Sequence, residues 1–149
     1  MLTLEGAQAG LSWRQVLARR EHYRRAFHDF DISRVAAMPD EALDALLADP
    51  GLIRNRLKIA SARDNARAAL AVMEETGSLD AYLWSFVGGR PLVNRPATRE
   101  QVPASTELSD AMSKALRKRG FRFVGSTICY AFMQATGMVD DHVTGCSRC

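Results

Sequence analysis

Cysteine is scarce in this sequence, with only three residues, at positions 129, 146 and 149 of 149. An odd and sparse set of cysteines argues against a disulfide framework and indicates free thiols or metal ligands in a reducing compartment. No apolar run approaches the roughly 20 residues of a membrane-spanning helix, and residues 1–11 lack the basic and apolar regions of a secretory signal. We therefore expect a cytoplasmic protein without membrane association.

Charge of one sign is not in large excess either. The chain has 20 Lys and Arg residues against 17 Asp and Glu residues, which gives a formal net charge of +3. A surplus this small permits a nucleic acid partner only if the basic residues lie on one face of the protein. The hydrophobic fraction of 47% is typical of an ordinary soluble protein. The length predicts a single domain over residues 1–149.

Alternation of apolar and polar residues with a period of two, which marks a half-buried strand, is also absent. Helical spacing and capping residues predict helices over residues 13–27, 39–47, 52–76, 79–86, 106–119 and 126–137, with a short helical turn after residue 31. Residues 1–11 are expected to lie ahead of the first helix, and residues 88–105, with three prolines, to form a loop without a sheet. We predict an all-α architecture.

Basic residues cluster at one predicted turn between two helices. The segment Lys114–Gly125 reads KALRKRGFRFVG and brings Lys118, Arg119 and Arg122 close to Gly120 in the sequence. Main-chain N–H groups at a glycine-bounded turn and at the start of the next helix favour an anion, so this segment can hold a phosphate. The alternative is an ordinary helix–loop–helix corner with solvated charges, since Lys and Arg also favour helix C-termini.

A carboxylate and an indole lie close together near the start of the sequence. Glu5 and Trp13 are separated by small and flexible residues that include Gly6 and Gly10. An aromatic face can stack on an extruded nucleobase, and a carboxylate can accept a hydrogen bond from its amino group. The alternative is a solvated glutamate near a tryptophan of the core.

A third group of residues suits a metal ion. His142, Cys146 and Cys149 have the spacing His-x3-Cys-x2-Cys. Histidine and cysteine are the usual ligands of zinc, but a tetrahedral structural site needs four protein ligands, and this run has three candidates. The alternative is a surface histidine with two free thiols. Cys129 lies in an apolar stretch and is predicted to belong to the core.

Together these segments resemble the DNA-3-methyladenine glycosylase I family, bacterial base-excision enzymes of the helix-hairpin-helix type. The resemblance rests on long strings and covers essentially the whole chain. The strings are LEGAQAGLSW (4–13), YRRAFHDF (23–30), DPGLIRNRLKI (49–59), NAR (65–67), LWSF (83–86), PAST (103–106), LSDAMSKALRKRGFRFVG (108–125) and DHVTGC (141–146).

The resemblance implies a helix-hairpin-helix glycosylase fold and a role in base-excision repair. A member of this family would bind alkylated double-stranded DNA, here as a monomer, extrude 3-methyladenine and hydrolyse its N-glycosidic bond to leave an abasic site. By resemblance, Glu5 is the catalytic and base-binding carboxylate and Trp13 stacks on the base. Predicted DNA contacts are Gly10 and Leu11, which match the loop that fills the vacated space, and Lys118, Arg119, Gly120, Arg122 and Gly125 around the phosphate-binding hairpin.

The resemblance also implies a structural zinc ion, with His142 and Cys146 as half of its ligands. Family members carry an upstream segment that supplies the other two ligands and aromatic residues of the base pocket, and this sequence begins after it. We therefore expect a shortened domain, with Cys149 as our own suggestion for a third ligand.

The reaction itself is predicted to use water. The matched strings hold no lysine at a recognisable Schiff-base position, so we predict a monofunctional glycosylase without strand-cleaving activity. The alternative function is a non-catalytic helix-hairpin-helix DNA-binding module.

Overall fold

The computed structural model describes residues 1–147, and this part of the chain is mostly helical, which confirms the all-α prediction. None of its helices is long and apolar enough to cross a membrane. The helices are α1 (Leu2–Gln8), α2 (Trp13–Leu17), α3 (Arg20–Ala26), α4 (Ile32–Ala36), α5 (Asp40–Leu46), α6 (Arg56–Thr76), α7 (Leu79–Trp84), α8 (Glu107–Lys118) and α9 (Ser126–Ala135). Two strands, β1 (Leu92–Val93) and β2 (Val139–Asp140), pair in parallel.

The long helix α6 is the centre of the fold. It packs against α1, α4, α5 and α7. Its first half contributes Ile59, Ala62 and Ala66 to one buried cluster with α1 to α5, and its second half contributes to another cluster with α7, α8 and α9. Small alanine side chains let neighbouring helices approach its axis closely. As a result, α6 holds the N-terminal and C-terminal helices in a fixed relation.

Local signals explain where most of the helices begin and end. The side chain of Asn55 accepts a hydrogen bond from the N–H of Lys58 at 3.1 Å, so α6 begins four residues later than the predicted apolar stretch. Gly77, with φ of +80°, ends it in the left-handed conformation that glycine adopts without strain. The Ser78 and Thr106 side chains cap α7 and α8.

The expectation for residues 1–11 was wrong, because most of this segment is helix α1. Leu4 and Ala7 are both buried, and their spacing of three residues places them on one helical face. Gly6 in the middle costs a helix about 1 kcal/mol relative to alanine and so weakened the local signal. Tertiary burial of the apolar face stabilises the helix in spite of that cost.

Two further expectations need correction. The helix predicted over residues 13–27 is divided into α2 and α3, because the backbone leaves helical geometry at Arg19, with φ of −101° and ψ of 2°. The loop over residues 88–105 contains a strand. Leu92 N–H donates to Met138 O and Asn94 N–H donates to Asp140 O, both at 3.0 Å. A two-residue strand is too short to leave a pattern of alternation in the sequence.

Candidate functional site

Glu5 is a buried carboxylate on α1. Its residue surface is only 4% exposed, and its carboxylate accepts no hydrogen bond from the residues that the structure describes. Burial raises the pKa of this carboxyl, and the nearby amino group of Met1 lowers it by a smaller amount. A buried acceptor without a protein donor is suited to a ligand that is cationic or donates hydrogen bonds.

Trp13 is the first residue of α2, which packs against α1. Val16 on the same helix is fully buried and anchors it, whereas Trp13 is 36% exposed and keeps part of its indole open. The simple alternatives for these two residues are therefore both wrong, since the glutamate is the buried one and the tryptophan is the exposed one. Together they form a carboxylate and an aromatic surface on two adjoining helices.

The turn between α1 and α2 is held tightly. Gly10 has φ of +75°, which requires a glycine or a strained residue. Leu11 N–H donates to Gln8 O at 2.7 Å, and the Gln8 amide donates back to Leu11 O at 2.9 Å. Leu11 is half-buried, and the contact with DNA predicted for Gly10 and Leu11 stays a prediction.

The predicted hairpin joins α8 to α9. Gly120, with φ of +89°, reverses the chain, and Phe121 and Val124 are buried on the inner side. The Ser113 hydroxyl donates to Val124 O at 2.6 Å and ties the hairpin to α8. Gly125 caps α9 without a side chain, so the first N–H groups of that helix have no side-chain acceptor. These donors, together with the positive end of the helix dipole, can bind an anion.

The basic residues around the hairpin differ in whether their side chains already form ion pairs. Lys118 is exposed and has no side-chain partner among the described residues. Arg119 forms a bidentate pair with Glu75 at 2.5 and 2.9 Å and also donates to the hydroxyl of Tyr82. Arg122 pairs with Asp64 at 3.0 Å. Lys118 is thus more available to a phosphate than the other two.

Sequence reasoning missed Arg117 at this site. Its Nη2 lies 3.5 Å from the point where a Cβ on Gly125 would stand, so its exposed guanidinium lies beside the start of α9. Arg117 and Lys118 lie in the last turn of α8 and Arg119 is its C-cap, and that run of basic residues at the helix end was the available signal. Which of the three points toward α9 depends on how α8 is rotated about its axis, which the sequence does not specify.

Helix α1 is also in close contact with the hairpin. A Cβ at Gly6 would stand 3.2 Å from Cβ of Phe123 and 3.3 Å from its carbonyl oxygen. Only glycine permits this approach without displacement of the hairpin. The part of α1 that carries Glu5 therefore lies directly against the hairpin, because Gly6 has no side chain to separate them.

We predict that Gly6→Val lowers the free energy of unfolding by about 1–3 kcal/mol, because the added methyl groups overpack this contact. Chemical denaturation of both proteins measures the difference. Gly6→Ala is the graded control, because its gain in helix propensity of about 1 kcal/mol opposes a smaller clash. A valine variant as stable as the parent would contradict the prediction.

The residues after β2 are fastened to α9. Asp141 accepts hydrogen bonds from Tyr130 at 2.6 Å and from Gln134 and Asn94 at 2.7 Å. Burial alone would raise the pKa of Asp141, but these three bonds outweigh it and the pKa is lowered. The carboxylate holds the segment in place just before His142.

His142 and Cys146 lie in this fastened segment. The His142 ring Nδ1 is 2.8 Å from Asp140 Oδ1, and Arg95 pairs with the same carboxylate. These contacts lower the pKa of Asp140 to about 2. Cys146 is a half-buried free thiol. No three potential ligands come together anywhere in residues 1–147, and Cys149 lies outside the described residues, so zinc binding stays a prediction.

Cys129 is fully buried, which confirms its predicted place in the core, and burial raises the pKa of its thiol to about 11.

An apolar cavity of about 310 Å³ lies beneath the first turn of α1 and is lined by Phe27, Phe30 and Phe121 among others. Neither Glu5 nor Trp13 lines it, so we assign it no part in base recognition.

The chain is similar to known proteins over nearly its whole length. The sequence model of the methyladenine glycosylase family matches residues 1–149. The chain is 53% identical over 146 residues to DNA-3-methyladenine glycosylase 1 of Escherichia coli, covering 98% of this chain and 78% of that protein. A crystal structure of 3-methyladenine DNA glycosylase I superposes with a TM-score of 0.94 at 54% identity, covering 98% of this chain and 80% of the other. A variant of such an enzyme in complex with 3-methyladenine gives 0.96 at 32% identity, with 98% and 78% covered.

Proposed function

This chain belongs to the methyladenine glycosylase family, and we infer that it hydrolyses the N-glycosidic bond of 3-methyladenine in alkylated DNA. Hydrolysis releases the free base and leaves an abasic site. The observation that carries this function is Glu5, a buried carboxylate without a protein donor, on a helix that packs against the one bearing the exposed Trp13. The alternative of a non-catalytic DNA-binding module gives no reason to bury that charge.

We propose that Glu5 recognises the positive charge of the methylated base. Two opposite charges about 4 Å apart attract by about 4 kcal/mol at an effective dielectric constant of about 20. Neutral adenine cannot gain this energy. The same charge makes the base a good leaving group: the electrons of the C–N bond depart with the base, which leaves as neutral 3-methyladenine. Water adds to the sugar carbon and releases a proton, and Glu5 stabilises positive charge as it develops on the sugar.

We propose that the remaining predicted residues hold the DNA. The open face of Trp13 stacks on the extruded base, and the turn at Gly10 and Leu11 enters the space that the base leaves. The hairpin from Gly120 to Gly125 and the N-terminus of α9 bind a backbone phosphate, helped by Lys118 and by Arg117. A phosphate contact by Arg119 or Arg122 would extend or compete with their ion pairs to Glu75 and Asp64.

Release of base from methylated duplex DNA tests the function. We expect free 3-methyladenine in the supernatant and abasic sites in the DNA, with no strand cleavage until alkali or an abasic-site nuclease is added. Cleavage by this chain alone would overturn the monofunctional mechanism. Duplex binding without any release would overturn the enzyme and leave the DNA-binding module. We further propose that the protein acts in the cytoplasm and that it is a monomer. Sedimentation of the purified protein measures its oligomeric state.

We also propose a structural zinc ion held by His142 and Cys146. The hydrogen bond from the His142 ring to Asp140 supports this, because a carboxylate commonly fixes the ring of a metal-binding histidine and leaves its other nitrogen for the metal. Two further ligands complete a tetrahedral site. We predict that the purified chain retains zinc, measured by elemental analysis, and that His142→Ala and Cys146→Ser each lower its content. Zinc that survives both substitutions, or a parent chain without zinc, would contradict the proposal.

A further inference from the structure

Lys58 on α6 binds the end of the helix that carries Glu5. Its ammonium donates hydrogen bonds to the carbonyl oxygens of Ala7 at 2.9 Å and of Ala9 at 2.5 Å. Carbonyls at a helix C-terminus have no partner within the helix, and a cation there also interacts well with the helix dipole. Lys58 is half-buried, and burial lowers the pKa of its amino group. The lysine thus fixes both the end of α1 and the turn toward Gly10.

Asn65 on the same helix binds the hairpin. Its side-chain oxygen accepts from Arg122 N–H at 2.7 Å, and its amide donates to Arg122 O at 3.0 Å. Both main-chain groups of one hairpin residue are therefore held by one side chain. Asn65 lies seven residues after Lys58, which is about two turns and about 10 Å along the same face of α6.

A third contact closes the arrangement, because Gly6 of α1 touches Phe123 of the hairpin directly. Helix α6, helix α1 and the hairpin are thus joined pairwise. The proposed reaction needs the base at Glu5 and a backbone phosphate at the hairpin at the same time. These three contacts contribute to the distance between those two places, together with the packing of α1 against α9.

We propose that Lys58 and Asn65 are positioning residues, which fix the helix that carries Glu5 relative to the phosphate-binding hairpin. Binding of the DNA backbone at the hairpin then places the extruded base against Glu5. The proposal rests on the function inferred above. Binding energy at a remote phosphate accelerates the reaction only when the reacting group is held in the right place. A misplacement of about 1 Å can cost about 100-fold in rate.

The test compares Lys58→Met with a matched control on the same helix. Arg67 Nε donates to Ala36 O at 2.9 Å, so it is also a cation of α6 that binds the end of another helix, in this case α4. Arg67→Met removes that contact, which involves neither α1 nor the hairpin. Release is measured with enzyme in excess over methylated duplex, at a temperature where all proteins are folded, and binding is measured separately with undamaged duplex.

We expect Lys58→Met to slow the release step by about 10- to 100-fold, while affinity for undamaged duplex and its salt dependence stay near the parent values. Unchanged salt dependence shows that Lys58 contacts no phosphate, since each lost phosphate contact reduces the slope. Lys58→Arg, which keeps donors for both carbonyls, is expected to recover most of the rate. Asn65→Ala is expected to weaken duplex binding and slow release together, and Arg67→Met to change neither.

Two results would overturn the inference. One is a parent-like release rate in Lys58→Met, and the other is an equal slowing in Arg67→Met, which would make the effect one of general stability. A parent chain that releases no base would instead overturn the proposed function, so the two failures are distinguishable.

Discussion

Replacement of Glu5 by glutamine is expected to slow release of 3-methyladenine by about 100- to 1,000-fold, a typical cost for loss of one preorganised electrostatic group. Glutamine has nearly the same shape but no charge, so it loses both the attraction to the cationic base and the stabilisation of the positive charge that develops on the sugar. Affinity for undamaged duplex should stay close to that of the parent, because phosphate contacts carry it. The measurement is release of base under single-turnover conditions, with duplex binding recorded in parallel.

Glu74→Gln is the matched control for this experiment. Glu74 is exposed on α6 and has no side-chain partner among the described residues, so the same change of charge should leave release unaltered. Equal losses in both variants would show that net charge, and not the position of Glu5, determines the rate. Full activity of Glu5→Gln would remove Glu5 from the mechanism.

The pH dependence follows from the same residue. Burial raises the pKa of Glu5 above its ordinary value of 4.5, so its carboxylate is protonated at a higher pH than that of an exposed glutamate. The rate of release should therefore fall as the pH decreases and Glu5 loses its charge. Glu5→Gln should lack this titration. The contribution of Glu5 to the stability of the folded protein has the opposite pH dependence, because its unfavourable effect decreases as the pH falls. The ionised carboxylate is disfavoured in the folded protein at neutral pH, so Glu5→Gln should be at least as stable as the parent there and lose this advantage below about pH 4.5.

Replacement of Trp13 by alanine is expected to reduce release by about 10- to 100-fold, because stacking of a base on an aromatic ring is worth about 1–3 kcal/mol. Trp13→Phe keeps an aromatic face and should lose less. Since the indole is 36% exposed, the loss of stability should be smaller than the about 3–5 kcal/mol expected for a fully buried aromatic residue such as Phe27.

Tryptophan fluorescence provides a direct check of this contact. The chain has two tryptophans, Trp13 and Trp84, and Trp84 belongs to α7 in the other buried cluster. Titration with free 3-methyladenine should change the fluorescence of the parent and of Trp84→Phe, but not that of Trp13→Phe. A change that persists in Trp13→Phe would place the base elsewhere.

The sequence alone was sufficient for several features whose determining interactions are local. Thr106 and Ser78 cap their helices, and Gly77 ends α6, because each of these effects involves residues within one turn of one another. Gly120 marks the hairpin for the same reason. The resemblance extended this local information to the family and its reaction, since long matching strings preserve the arrangement of a whole fold.

Tertiary structure alone decided the features that depend on contacts between distant residues. Helix α1 is stabilised by burial of Leu4 and Ala7, and the strand pair joins positions 92 and 139. The partners of Lys58 and Asn65 lie 49 to 57 residues away in the sequence, so no local pattern could reveal them.

Which residue of the Glu5 and Trp13 pair is buried was decided in the same way. Glutamate is usually exposed and tryptophan usually buried, so intrinsic preference predicts the reverse of what is found. Helix α1 packs against α6, α9 and the hairpin, and Glu5 on it is buried, whereas Trp13 at the start of α2 stays partly exposed. Burial depends on how the helices pack against one another, and the sequence specifies each single helix more directly than it specifies their packing.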